Sequence, residues 1–158
     1  LINDIGAKRD EKMAILSESK PEYGACVFAS VMAGMTTVPL DIKLTECELE
    51  SILTDCEPTV MLASKSYMEK AKKLQQKISS IKTILVMDEP AYNIDLTSIY
   101  MLPDKYSCKW RHRSSRSTAL IIYTSGTTGA PKGVEISFSF DEIFSLSSRF
   151  FEDFSFLK

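Results

Sequence analysis

The chain has one histidine, His112, and one tryptophan, Trp110, and its four cysteines (Cys26, Cys47, Cys56, Cys108) form no CxxC pair. One imidazole and four scattered thiols do not make a familiar zinc set, so no metal ligands are assigned. Charge of one sign is also lacking. A net charge of −2 gives no global attraction for nucleic acid or an anionic membrane, so any ligand is held by a local site. There is no internal repeat and no low-complexity tract. The opening residues, LINDIGAKRD, do not read as a signal peptide. Residues 23–40 carry no charge, but Gly24, Gly34, Thr36, Thr37 and Pro39 interrupt them. That stretch reads as a buried helix running into a buried strand, not as a membrane span.

What is present fits a globular α/β domain. With 158 residues, 44% hydrophobic and 25% charged, the chain is long enough and apolar enough to bury a core. Cys26 and Cys56 fall at apolar positions of expected helices. They read as buried free thiols of a reducing compartment, with a cytoplasmic location as the expectation. The first residue is Leu1 and the last stretch is Phe-rich, which reads as a piece of something longer.

Short apolar runs alternate with helical patterns. MAIL (13–16), TTVPL (36–40), TVMLA (59–63), TILVM (83–87) and TALIIY (118–123) have strand length and strand composition. Between the first two, Pro21 opens a helix over about 22–33 that Gly34 stops. Thr45 and Glu48 have capping-box spacing, with Leu44 and Leu49 placed as a hydrophobic staple. Leu49, Ile52, Leu53 and Cys56 then share one helical face. Ser66 and Glu69 repeat the box spacing before a stripe of Tyr67, Ala71, Leu74 and Ile78. Ser139 and Glu142 give a third box, with Phe138 and Ile143 as its staple, opening a helix over 138–158.

Continuous apolar strands alternating with helices predict a parallel, Rossmann-like layered sheet flanked by helices. Residues 1–87 are expected as βαβ repeats, and 118–137 as strand, loop and strand. Between them, 88–117 reads as an irregular connection whose basic cluster (Lys105, Lys109, Arg111, Arg113, Arg116) is solvated, with Trp110 pinning the loop to the body. Right-handed crossovers place the strands' carboxyl ends on one edge, where ligands bind in open sheets.

The densest chemistry lies at that edge. Three of the six glycines, Gly126, Gly129 and Gly133, fall within YTSGTTGAPKGVE at 123–135. Glycines permit positive φ and close backbone approach, and consecutive amides in such turns form a nest for phosphate oxygens. Thr124, Ser125, Thr127 and Thr128 add hydroxyl donors, Pro131 restricts the backbone, and Lys132 adds a positive charge. Polyphosphate matches this donor set. A Walker A loop is excluded, because Pro131 precedes Lys132 and Gly133 follows it. A dinucleotide fingerprint is excluded by the missing GxGxxG. A hydroxyl-rich hairpin without ligand is the bland alternative.

The run YTSGTTGAPKGV resembles the phosphate-binding signature of the adenylate-forming superfamily: acyl-CoA synthetases, peptide-synthetase adenylation domains and firefly luciferase. The likeness extends upstream through Pro21–Glu22, Ala33–Gly34, Val38–Pro39–Leu40, Glu48–Leu49, Leu53 and Asp55. It implies that residues 1–158 are part of a larger N-terminal AMP-binding domain. The implied activity is a two-step ligase, in which a carboxylate attacks Mg-ATP to give an acyl-adenylate and a thiol then takes the acyl group. The expected carboxylate is a long-chain fatty acid, and the expected thiol is coenzyme A or a carrier-protein thiol. Peripheral membrane association of the parent is compatible with that substrate, and nucleic acid is not an expected partner. The resemblance makes Thr124, Ser125, Gly126, Thr127, Thr128 and Gly129 donors to the β- and γ-phosphates, in a loop that closes over ATP. It makes Lys132 the catalytic cation beside departing pyrophosphate. Family members commonly carry a Ser-His step where this chain has Ser137–Phe138. The family's principal Mg2+ ligand and its catalytic C-terminal lysine lie beyond Lys158, so this piece alone is expected to be inactive. The alternative is a non-catalytic homologue that keeps the fold as a nucleotide-binding or interaction module.

Overall fold

A computed structural model describes residues 7–88, 98–99, 114–124 and 131–137. The expected helix at 138–158, Cys108, Trp110 and all of the basic cluster except Arg116 lie outside these residues. Arg116 is exposed.

The apolar runs become strands: β1 (Lys12–Leu16), β2 (Thr36–Pro39), β3 (Val60–Ala63), β4 (Thr83–Val86), β5 (Thr118–Thr124) and β6 (Lys132–Ser137). Their order across the sheet is β4-β3-β1-β2-β5-β6. The first five run parallel. Met13 lies opposite both Thr37 and Val60, and Thr37 in turn lies opposite Leu120. β6 departs from the parallel expectation and pairs antiparallel with β5, from Thr124↔Lys132 to Thr118↔Ser137. The connection between them is too short for the crossover that a parallel partner requires.

Helix α1 (Pro21–Met32) places Pro21 in the first turn, where the missing N–H costs no hydrogen bond. Its far end is closed by Gly34 at φ 74°. Gly34 N–H donates to the Val31 carbonyl and Met35 N–H to that of Ser30, each at 3.0 Å, a paired closure that uses two orphan carbonyls. Helix α2 (Glu46–Cys56) forms the expected capping box between Thr45 and Glu48, and it ends at Glu57, which adopts the left-handed conformation. The hydrogen bonds from Thr45 hold the Glu48 carboxyl below its usual range.

The second expected box does not form. Residues Lys65–Tyr67 make a single 3₁₀ turn entered from Ser64, so Ser66 lies inside a turn and does not cap α3 (Met68–Lys77). Tyr67 takes the N-cap position without a side-chain bond, and Met68 joins Ala71 and Leu74 as a buried contact.

Strand alternation divides the core between two faces. Ala14, Leu16, Val38, Met61 and Ala63 meet the apolar sides of α2 and α3. Met13, Ile15, Val60, Leu62 and Leu85 meet Cys26 and Ala33 on the other face, which α1 covers. The neutral stretch at 23–40 therefore holds most of helix α1 followed by strand β2. No helix among the described residues is long and apolar enough to cross a membrane.

Candidate functional site

The carboxyl ends of β1, β3 and β4 meet a polar network that periodicity does not signal. Lys20 Nζ donates to Asp88 Oδ1 at 2.6 Å, while the Lys65 amide donates to Asp88 Oδ2. Ser98 Oγ donates to the Asp88 carbonyl at 2.6 Å, and Ser64 Oγ donates to Glu18. Burial alone would raise the Asp88 pKa. The Lys20 and Lys65 donors outweigh it and hold the carboxyl below its ordinary range. Both carboxylate oxygens and the carbonyl of Asp88 are matched, which makes this network a fastening between the exit of β4 and the entry of α1.

Farther along the edge, the β5–β6 hairpin carries the signature. Thr124 ends β5, Lys132 begins β6, and the two stand opposite each other in the ladder. Both are exposed. Lys132 therefore enters from a strand, at the mouth of the connection that holds the remaining signature residues. Ser125, Gly126, Thr127, Thr128 and Gly129 lie outside the described residues.

The positive φ expected at Gly133 does not occur, and the glycine instead makes room for side chains of the neighbouring strand. Among the described glycines, Gly34 alone has positive φ. Gly133 sits in the strand opposite Tyr123, where an added Cβ would come within 2.9 Å of Ile121 Cγ2 and 3.2 Å of Tyr123 Cζ. A glycine is required because the neighbouring side chains already fill that space.

The Tyr123 hydroxyl reaches out of the hairpin and donates to Asp55 Oδ2 on the last turn of α2. Burial, then the bond to Asp55, pushes its pKa well above the ordinary phenol value. Asp55 stands in the family's order along the sequence, but nothing there marks it as the partner of Tyr123, 68 positions away. Burial also pushes the adjacent Cys56 thiol up to about 12. Cys26 and Cys56 are buried free thiols, as expected, whereas Cys47 is free and exposed.

The AMP-binding enzyme family model matches residues 1–148. The chain is 32% identical over 131 residues to mitochondrial malonate–CoA ligase ACSF3 of Homo sapiens, covering 82% of this chain and 21% of that protein. It is 31% identical over 132 residues to the hybrid PKS-NRPS synthetase poxE of Penicillium oxalicum, again covering 82% of this chain but 3% of the relative. A red-emitting luciferase from Phrixothrix hirtus superposes with a TM-score of 0.77 at 25% identity, over 87% of this chain and 35% of the other. With the signature hairpin at the carboxyl edge of a mostly parallel sheet, these matches define the class as adenylate-forming. The chain belongs to the AMP-binding enzyme family and spans about one fifth of the human ligase it resembles.

Proposed function

We propose that this chain supplies the polyphosphate-gripping part of an ATP-dependent acyl-activating ligase. The observation that carries this reading is the facing pair Thr124 and Lys132, which brackets the signature connection at the carboxyl edge of the sheet. In the first step a carboxylate oxygen attacks the α-phosphorus of ATP. An acyl–O–P bond forms, the bond from the α-phosphorus to its bridging oxygen breaks, and the electron pair leaves on pyrophosphate. The Lys132 ammonium offsets the charge that builds on that leaving group. Thr124 and the amides and hydroxyls of Ser125, Gly126, Thr127, Thr128 and Gly129 donate to its oxygens. A thiol of coenzyme A or a carrier protein then displaces AMP from the acyl carbon. Mg2+ neutralises phosphate charge in such chemistry. Among the described residues no three acidic, thiol or imidazole side chains converge, so none is assigned to it.

For the carboxylate, a long-chain fatty acid follows from the resemblance, and malonate is the second reading because the human relative is named for it. The free thiols support a cytoplasmic location, which fractionation tests against the mitochondrial location in that relative's name. The test of function is exchange of labelled pyrophosphate into ATP by the full-length protein, across a panel of carboxylates. Exchange dependent on one acid supports the ligase and identifies its substrate. No exchange with any acid, despite ATP binding, would leave the non-catalytic nucleotide-binding homologue, the alternative that the Ser137–Phe138 step favours.

A further inference from the structure

The ladder between β5 and its parallel neighbour is short. The ladder between β2 and β5 registers at Thr37↔Leu120, and the side-chain bond from Thr36 reaches Thr118, farther back along the strand. Beyond Leu120, Ile121 packs into the core and the ladder continues with β6, an edge strand that is mostly exposed, so the exposed end at Thr124 depends on that edge. A strand end fixed in this way does not place an adjoining cation to within a fraction of an ångström, which transition-state stabilisation requires.

Three observations converge on what fixes it. Tyr123 precedes Thr124, and its ladder partner Gly133 follows Lys132, so the Tyr123↔Gly133 pair lies one step behind the loop mouth. The missing side chain at Gly133 leaves room for the Tyr123 ring, and the ring packs against the core cluster shared with α2. The ring's hydroxyl is bonded to Asp55. Asp55 also occupies a costly place. It is a carboxylate on the last turn of a helix that carries no basic residue there, where the helix dipole opposes negative charge. The phenol O–H supplies a direct partner for that charge. Asp55 is exposed, but the helical turn that carries it is anchored by Ile52, Leu53 and Cys56, which are at most 2% exposed.

We propose that Tyr123 and Asp55 are positioning residues for ATP: their hydrogen bond, with the ring seated over Gly133, ties the hairpin to α2 and sets where Thr124 and Lys132 meet the triphosphate. This rests on the polyphosphate reading above. The tie acts through Lys132 and Thr124 and does not itself touch substrate.

The experiment is pyrophosphate exchange by the full-length protein, with kinetic constants for ATP and for the carboxylate measured separately. Tyr123→Phe keeps the ring and removes the bond. It is expected to lower kcat/KM for ATP about tenfold, leave KM for the carboxylate unchanged and shift the melting midpoint by no more than about 3 °C. Asp55→Asn retains an acceptor and is expected to keep most of the activity, whereas Asp55→Ala matches Tyr123→Phe. The double variant Tyr123→Phe with Asp55→Ala is expected to be no worse than either single change, because both remove one bond. Additive losses, or a KM for the carboxylate raised as much as that for ATP, overturn the tie. Lys132→Ala in the same assay separates the two claims. If it impairs ATP use and Tyr123→Phe does not, the tie alone fails. If neither change affects ATP, the polyphosphate reading fails with it.

Discussion

The interior of the sheet and its β6 edge are built differently. In β1 and β3, eight of the nine residues are buried, and helices cover both faces. In β6, four of six residues are exposed, and Val134 is an exposed large hydrophobic residue at 52%. The first region spends its residues on burial and presents mainly matched polar groups at its carboxyl edge. The second leaves Lys132 and the Thr124 side chain in the open at the same edge. Burial is concentrated where side chains are interchangeable apolar volumes, and the proposed chemistry sits where individual atoms matter.

That contrast breaks if changes in the two regions act alike. The largest expected effect is in the body. Leu62→Ala removes a fully buried side chain from the α1 face and is expected to lower the unfolding free energy by about 3 kcal/mol, read from urea melts. It should do so with no selective effect on ATP. Lys132→Ala reverses the pattern. The unfolding midpoint stays in place while the rate of adenylation at saturating ATP falls about a hundredfold, measured by pyrophosphate exchange. Thr45→Ala removes the cap of α2 and is expected to cost about 1 kcal/mol of stability in the same melts.

The smallest effect sharpens the comparison through pH. The Asp88 pKa lies lower in the fold than in the unfolded chain, so its contribution is present above about pH 4. It is lost as pH falls through the folded value. Asp88→Asn is expected to flatten that acid limb in pH-dependent melts without altering ATP use at neutral pH. A changed KM for ATP would show that the fastening under β4 is coupled to the hairpin.

Much of the body was legible because burial and helix capping repeat at short range. Leu49, Ile52, Leu53 and Cys56 all meet the core at the spacing their pattern implied, and the Thr45–Glu48 box forms. The same spacing at Ser66 and Glu69 misled, because a 3₁₀ turn shifts the helix start to Met68. Capping-box spacing does not reveal which residue the chain enters the turn from. At the hairpin, residue types pointed to the ligand class but not to the supports. The Tyr123–Asp55 bond joins residues 68 apart, and Gly133 leaves room for Ile121 and Tyr123 on the neighbouring strand. The first contact arises only once the sheet order brings β5 beside β2, and the second depends on the register of the β5–β6 hairpin, so residue types alone encode neither.

The account is tested most directly by where the nucleotide lies in a crystal of the full-length protein with ATP. The expected result is the β- and γ-phosphates in the mouth between Thr124 and Lys132, with the lysine Nζ about 3 Å from a phosphate oxygen. Triphosphate bound elsewhere, with Lys132 directed into solvent, would contradict it.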